Sequence, residues 1–327
     1  MQTQELGRSG IQASRLGLGT GTFGREIPEE TAVQIMDYAV EHGITLFDTA
    51  EAYGAGQARE YRRNYLGVDD VREVSGEMHS SEKIVGRWMR SRGTRKNIVL
   101  VTKVTTNHTR QHVREAISAS LDRLQTDSAD VYLYHSYDAG TPVDEAVAAL
   151  DEVIKAGLAR AGGCSNYSGE QLQAALDSSR RQGAARFEVI ESIYNLVARE
   201  IEQDVLPITT RESIGVFGYS PLGAGFLAGK YTPDRNAFPK GTRFDVIPGH
   251  ADVYFSERNF RWVGLLHQMA QRVGVPPLRL AMAWTLQNPA VTTVLVGART
   301  LAHLDNAFAA LGTPFPPEWL AEINSWS

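Results

Sequence analysis

Residues 98–135 read IVLVTKVTTNHTRQHVREAISASLDRLQTDSADVYLYH. A β-branched run, 98–102, stops at Lys103, and a second apolar run, 131–134, stops at His135. Between them Val113, Ile117, Ser120, Leu121 and Leu124 recur at helical spacing on one face of 110–124. The stretch is a strand–helix–strand unit, and repeated units of this kind build a parallel sheet.

The alternation extends in both directions. Strands are expected at 16–18, 45–47, 98–102, 131–134, 159–163, 187–190, 215–218 and 292–296. In 143–156, Val143, Ala146, Val147, Leu150, Val153 and Ile154 repeat the helical pattern. Ser168 opens a helix over 169–182, with Gln171 as its capping-box partner. Pro28 reads as a first-turn proline for 29–42, and Gly43 as its stop. Eight βα units in order predict an α/β fold, a (β/α)8 TIM barrel. A doubly wound sheet would need its phosphate-binding glycines in the first βα turn, followed at once by a helix. Gly17, Gly19, Gly21 and Gly24 lie there, but no helix opens directly after Gly24. Residues 3–14, turning at Arg8-Ser9-Gly10, read as a hairpin ahead of the barrel. The chain is read as one domain, 1–327, since α/β barrels of this length need no second one. Two connections are long, 54–80 and 219–256, and long loops in compact domains are usually functional or disordered.

Composition narrows the function. The 327 residues carry a net charge of −5, with 43% hydrophobic and 22% charged residues. That is ordinary globular usage, and it offers no broad basic field for nucleic acid or anionic lipid. One cysteine, Cys164, excludes an internal disulfide and a cysteine-rich metal site, and no metal is expected. The N-terminus has no apolar signal region, and no apolar run approaches the ~18 residues of a spanning helix. A cytoplasmic protein is expected.

In a βα barrel the chemistry sits where strands end. Asp48, Lys103 and His135 follow three consecutive strand candidates, and Tyr53 stands five residues after Asp48. A lysine inside Val-Leu-Val-Thr-Lys-Val is costly unless paired. A free tyrosine, with a pKa of about 10, is a poor donor near neutrality. An adjacent ammonium is expected to lower that pKa, and a carboxylate to keep the ammonium charged. A neutral histidine can orient a carbonyl oxygen. A proton donor beside an oxyanion site, with no activated serine or cysteine, points to hydride attack on a carbonyl from a nicotinamide cofactor.

The same residues resemble the aldo-keto reductase family, over nearly the whole chain. The family's hairpin is echoed in Leu6-Gly7-Arg8-Ser9-Gly10, its Gly-Leu-Gly-Thr in residues 17–20, and its Asp-Thr-Ala-x-x-Tyr-Gly in residues 48–54. Thr102-Lys103, His135, Gly163-Cys164-Ser165-Asn166 and residues 219–231, YSPLGAGFLAGKY, complete the match. The resemblance implies NADPH across the C-terminal mouth, favoured over NADH, and a small carbonyl or alcohol substrate. It implies that Tyr53 is the acid, that Lys103 and Asp48 tune it, and that His135 orients the substrate. Along the cofactor it implies contacts from Thr20, Gly21 and Asp48, Ser165, Asn166 and Glu191 at the carboxamide, and Tyr219 stacked on the nicotinamide. Ser220, Pro221, Leu222, Gly223, Gly225 and Lys230 would line the pyrophosphate. Gly297, Arg299, His303 and Asn306 would meet the 2′-phosphate and adenine, with Arg299 at the start of the last helix. A helix N-terminus beside an arginine is in itself a good phosphate site.

Four departures from the family stand out. Glu191 replaces a glutamine and brings a charge. His303, Asn306 and Ala307 replace the usual adenine-side residues. Gly21 replaces a tryptophan that often closes the substrate pocket. An insertion, about 57–80, separates Gly56 from Ser81-Glu82 and should rim the mouth, walling it for a bulky polar substrate such as a sugar derivative or polycyclic ketone. Two other classes fit parts of the pattern. One is a nicotinamide-binding regulatory subunit on the same fold, as some family members serve ion channels. The other is a lyase using Lys103 as a Schiff base.

Overall fold

The unit at 98–135 folds as read. The computed structural model describes residues 1–54, 74–246 and 248–326. Strands β1 (Thr3–Glu5) and β2 (Gln12–Ser14) form an antiparallel hairpin. Then follow β3 (Leu16–Gly19), β4 (Leu46–Asp48), β5 (Val99–Val104), β6 (Ala129–Tyr134) and β7 (Ala159–Ser165). The series ends with β8 (Phe187–Ile193), β9 (Gly215–Tyr219) and β10 (Thr293–Gly297). Strands β3 to β10 are parallel and close into a barrel, β10 pairing with β3. Helices Glu29–Glu41, Ser80–Arg92, Arg110–Leu124, Val143–Lys155, Gly169–Gln182, Val205–Glu212, Pro277–Gln287 and Leu301–Leu311 alternate with these strands. The (β/α)8 expectation is met. Among the described residues no helix is long and apolar enough to cross a membrane.

Period-two alternation sorts the strand side chains into two layers. Leu46, Val101, Val131, Leu133, Val189, Phe217 and Leu295 point into the lumen and form one buried cluster. Leu6, Ile11 and Ala13 of the hairpin join that cluster. The opposite parity, including Phe47, Leu100, Tyr132, Ile190 and Val216, packs outward against the helices. Each such side chain contributes about 1.5–3 kcal/mol of burial. The lumen is therefore a packed core and leaves room for polar groups only at its upper rim.

Local chemistry explains the connections. Ser168 and Gln171 form the expected reciprocal cap, at 3.2 Å from Gln171 N to Ser168 Oγ and 3.0 Å from Ser168 N to Gln171 Oε1. Pro28 sits at the N-cap of Glu29–Glu41, one position before the first-turn place expected for it. The register of β7 shifts between Gly162 and Gly163, where a Cβ on Gly163 would lie 1.9 Å from the Val189 carbonyl oxygen. Only glycine permits this approach, and beyond the shift Ser165 stands opposite Glu191.

The long 219–256 connection is not structureless. It carries a 3-10 segment, Gly223–Ala228, and short helices Arg243–Val246 and Ala251–Tyr254. Of the 57–80 insertion, residues 57–73 lie outside the described residues. Its returning limb pairs with the first βα loop, through Val74 N to Arg25 O at 3.3 Å and Ser75 N to Gly24 O at 3.1 Å.

Candidate active site

The lumen alternation continues one step past the hydrophobic core. Asp48 lies two residues beyond Leu46, Lys103 beyond Val101, His135 beyond Leu133, Glu191 beyond Val189 and Tyr219 beyond Phe217. The inward-facing ring that ends the core is thus polar and ionisable. It lies at the C-terminal ends of the strands, where βα barrels hold their chemistry. Asp48 is the last residue of β4, and Lys103 is the penultimate residue of β5, which runs one residue past it. His135 follows β6 directly, its N–H bonded to the Val104 carbonyl at 2.8 Å.

Lys103 is the hub. It has no solvent exposure, and Asp48 and Glu191 are each 2% exposed. An ammonium has three protons. Lys103 Nζ donates them to Asp48 Oδ1 at 2.5 Å, Thr49 O at 3.1 Å and Tyr53 Oη at 3.3 Å. Glu191 Oε2, at 3.3 Å, is a fourth neighbour that receives no proton from it, while the Glu191 carboxyl is hydrogen-bonded to Asp48. The Tyr53 ring meets His135 edge-on, with centroids 5.3 Å apart.

Burial sets the protonation states. Taken alone it would lower the Lys103 pKa, but Asp48 and Glu191 outweigh it and hold the ammonium firmly charged. Burial raises Asp48, and Lys103 opposes that rise. Burial also pushes Glu191 up, to about 8, helped by the Asp48 charge and opposed by Lys103. Near neutrality Glu191 thus mostly keeps a proton, so the charge expected of it from sequence is largely suppressed. For Tyr53 the expected lowering is overturned. Lys103 does pull downward, but burial raises the phenol and the two carboxyls add to the rise, so its pKa lies above 10. His135 is pushed down to about 3, by burial first and then by Lys103. Its ring is neutral, with Nδ1 buried and unbonded.

Buried hydroxyls fix the loop that carries Tyr53. Thr20 is completely buried, and its Oγ1 donates to the Asp48 carbonyl at 2.8 Å. Its side chain therefore pins Asp48. Ser81 Oγ lies 2.7 Å from Thr20 Oγ1 and 2.9 Å from Thr49 Oγ1. Glu82, also fully buried, accepts from Thr102 at 2.6 Å and from Arg123 at 2.5 Å. Nothing local in the sequence marks Ser81-Glu82 as returning to the barrel mouth. Gly21 faces the phenol: a Cβ there would touch the Tyr53 ring at 3.8 Å. Only glycine leaves that ring face bare.

Around the rim the remaining expected residues form two groups. Asn166, with φ of 59°, donates to the His135 carbonyl and to Ser165 Oγ, both at 3.0 Å, and accepts from Tyr219 Oη at 2.9 Å. Ser165, Asn166, Glu191 and Tyr219 are thereby brought together beside Lys103. Ser220 and the run Gly223, Ala224 and Gly225 adopt left-handed backbone, with Pro221 and Leu222 between. The second group is cationic. Arg299 lies 3.5 Å from Glu26, a buried carboxylate that also holds Arg243 and lies 3.7 Å from Arg25. Lys230 is lowered by burial and by Arg299. His303 is lowered by burial and by both cations, and its Nδ1 accepts from Arg299 N at 3.1 Å. Gly297 ends β10. The helix after Arg299 is Leu301–Leu311, which carries Asn306; it is not the last helix, since Pro317–Asn324 follows. Sequence gave no signal for Glu26, whose partners come from three loops.

The donor set fits a nicotinamide dinucleotide. Polar groups ring the buried lysine, a left-handed loop offers backbone N–H groups, and the neighbouring cations Arg299 and Lys230, beside a neutral His303, suit an anion.

Comparisons with known proteins agree with this geometry. The aldo/keto reductase family model matches residues 15–327. An uncharacterized oxidoreductase of Bacillus subtilis (strain 168), YrpG, is 30% identical over 99% of this chain and 95% of its own length. A probable voltage-gated potassium channel subunit beta of Arabidopsis thaliana is 33% identical over 95% of this chain and 91% of its own. A protein of the same description from Oryza sativa subsp. japonica is 32% identical, over 91% and 87%. With a polar ring closing a parallel barrel and a family match over nearly its whole length, the chain belongs to the aldo/keto reductase family.

Proposed function

We propose that the protein reduces aldehydes or ketones to alcohols, reversibly, with NADPH as cofactor and Tyr53 as proton donor. The bound cofactor supplies a hydride to the carbonyl carbon. Tyr53 gives its Oη proton to the carbonyl oxygen as charge develops there, so a phenol O–H breaks and an alcohol O–H forms. The phenolate left behind stands 3.3 Å from the Lys103 ammonium. That contact carries the reading: a high-pKa phenol donates only when its conjugate base is met by a fixed cation, and Asp48 keeps Lys103 cationic. His135, neutral, orients the oxygen by hydrogen bonding. A Schiff-base role for Lys103 fits poorly, because all three protons of a firmly charged ammonium are committed. Ser165, Asn166 and Glu191 would hold the carboxamide, Tyr219 the ring, residues 220–230 the pyrophosphate, and Arg299 with His303 the 2′-phosphate. The bare Tyr53 face at Gly21 and the 57–80 insertion favour a bulky polar carbonyl compound.

A second reading is a nicotinamide-binding regulatory subunit with little turnover, which the two relatives named as probable channel β subunits favour. A panel of aldehydes and ketones, followed by NADPH absorbance with NADH in parallel, separates the two. Turnover is expected, with a loss of about 10²–10⁴-fold in Tyr53→Phe and cofactor binding retained. Near wild-type turnover in that variant would remove Tyr53 from its role. Cofactor binding without turnover of any carbonyl would favour the regulatory reading.

A further inference from the structure

Lys103 has three protons and four acceptors around it. Asp48, Thr49 O and Tyr53 take the three. Glu191 Oε2 lies as close to the nitrogen as Tyr53 does, at 3.3 Å, and receives none. The Glu191 carboxyl is instead hydrogen-bonded to Asp48; two carboxyls bond only if one keeps its proton, and Asp48 already takes the shortest bond from Lys103, so Glu191 is the neutral one while Lys103 serves Tyr53. Were Glu191 to ionise, it would compete with Tyr53 for the third ammonium proton and place a second negative charge beside the forming phenolate.

We infer that Glu191 is a proton-holding positioning residue, and that carbonyl reduction runs on the form of the site in which Glu191 keeps its proton. The inference rests on the reductase reading above and adds a titrating control to it. The groups around Glu191 support the assignment. Asp48 on β4 and Lys103 on β5 act on it in opposite senses, and burial adds to Asp48, leaving it at about 8. Tyr53 on the loop after β4 and Tyr219 on β9 both sense its charge, and burial keeps both phenols protonated. His135 after β6 is already neutral, and β7 presents Ser165, which does not titrate. Lys103 lies closer to Asp48 than to Glu191, 2.5 Å against 3.3 Å, so of the two coupled carboxyls Glu191 is the one that holds the proton.

The test is the pH profile of kcat/KM for one carbonyl substrate, in the wild type and in Glu191→Gln, which keeps the shape and cannot ionise. In the wild type the value should fall roughly tenfold or more between pH 6.5 and 9.5, because each pH unit beyond a pKa is tenfold. In Glu191→Gln the ratio of the two pH values should change by less than about threefold, whatever the variant's absolute rate. The same alkaline fall in both would overturn the inference. A readout without turnover accompanies it. Urea midpoints of the cofactor-free proteins should show the wild type losing stability relative to Glu191→Gln from pH 6 to pH 9, because the folded state gives up a proton it holds more tightly than the unfolded chain. Parallel midpoints would also overturn it. If no carbonyl is turned over, the reductase reading fails while the midpoints still decide whether Glu191 holds a buried proton. Glu191→Met, uncharged and of similar bulk, replaces the glutamine variant should that one not fold.

Discussion

At the scale of the residue, the site is an exercise in counting protons and charges. Two carboxyls and a phenol surround one fully buried ammonium, and Lys103 is the group that lets them coexist. Lys103→Met should abolish carbonyl reduction at least as fully as Tyr53→Phe does. It should also lower stability by about 3–5 kcal/mol, the usual result of removing one partner from a buried pair. Turnover assays and urea denaturation check both; a stable, active variant would show that the ammonium is dispensable. Arg299 acts at the other end of the site. Arg299→Ala should weaken NADPH by roughly tenfold to hundredfold, about 1.5–3 kcal/mol, and NADH far less, since only NADPH carries the 2′-phosphate. Glu26 would still hold Arg243, so the loop should stay in place. Equal losses for the two cofactors, measured by fluorescence titration, would show that Arg299 does not read the phosphate. The identities of Asp48, Tyr53, Lys103 and His135 were legible in the chain because each ends or follows a β-branched run. Their protonation states were not. The direction for Tyr53 and the proton on Glu191 depend on how little water remains once eight strands close, and no local sequence records that.

At the scale of the element, five of the eight barrel strands present an apolar lumen residue and then, two positions on, an ionisable one. Val189-Ile190-Glu191 and Phe217-Gly218-Tyr219 follow this rule as clearly as Val101-Thr102-Lys103. The extension of the period-two pattern could therefore have found the whole ring without a motif. Register could not have been found the same way, because the shift at Gly163 answers to a carbonyl on the neighbouring strand. The loop that bears Tyr53 answers to a distant helix. Gly54 has φ of 101°, and a Cβ there would meet Ser80 Oγ at 2.2 Å and Ser81 N at 2.7 Å. Part of that obstacle is backbone and cannot swing aside. Gly54→Ala should thus displace either the start of Ser80–Arg92 or Tyr53 itself. The expected cost is about 2–4 kcal/mol from strain and overpacking together, and a fall in kcat approaching 10²-fold if Tyr53 moves by about 1 Å. Gly93 is the control, with φ of 65° and open space around its Cβ position. Gly93→Ala should cost only about 1 kcal/mol of backbone strain and leave kcat alone. Equal effects of the two substitutions, by thermal unfolding and turnover, would separate Gly54 from the positioning of Tyr53.

At the scale of the whole molecule, buried titratable groups make stability depend on pH, and they act in opposite directions. Glu191 binds its proton more tightly folded than unfolded, so it favours the folded state increasingly as pH falls from about 8 to the ordinary glutamate range. The buried histidines do the reverse. His108 lies just before helix Arg110–Leu124, 1% exposed, with its ring stacked on Tyr134 at 3.9 Å and its Nε2 buried without a partner. Burial lowers it to about 4, against the pull of Asp138 and with help from His112. The unfolded chain takes up a proton near pH 6.5 that the folded protein refuses until about pH 4. Stability is therefore lost as pH falls through that window. By pH 5 the loss from His108 alone approaches about 2 kcal/mol, the 1.36 kcal/mol per unit taken over the gap from the unfolded value. His135, lowered to about 3, adds to the same slope. His108→Phe keeps a flat ring against Tyr134 and removes the titration. Between pH 7 and pH 5 the wild type should lose about 2 kcal/mol more than the variant, whichever of the two is more stable at pH 7. Glu191 and His135 are common to both proteins, so their contributions cancel in the difference. Urea denaturation at the two pH values measures it, and equal losses would place the acid sensitivity elsewhere in the fold.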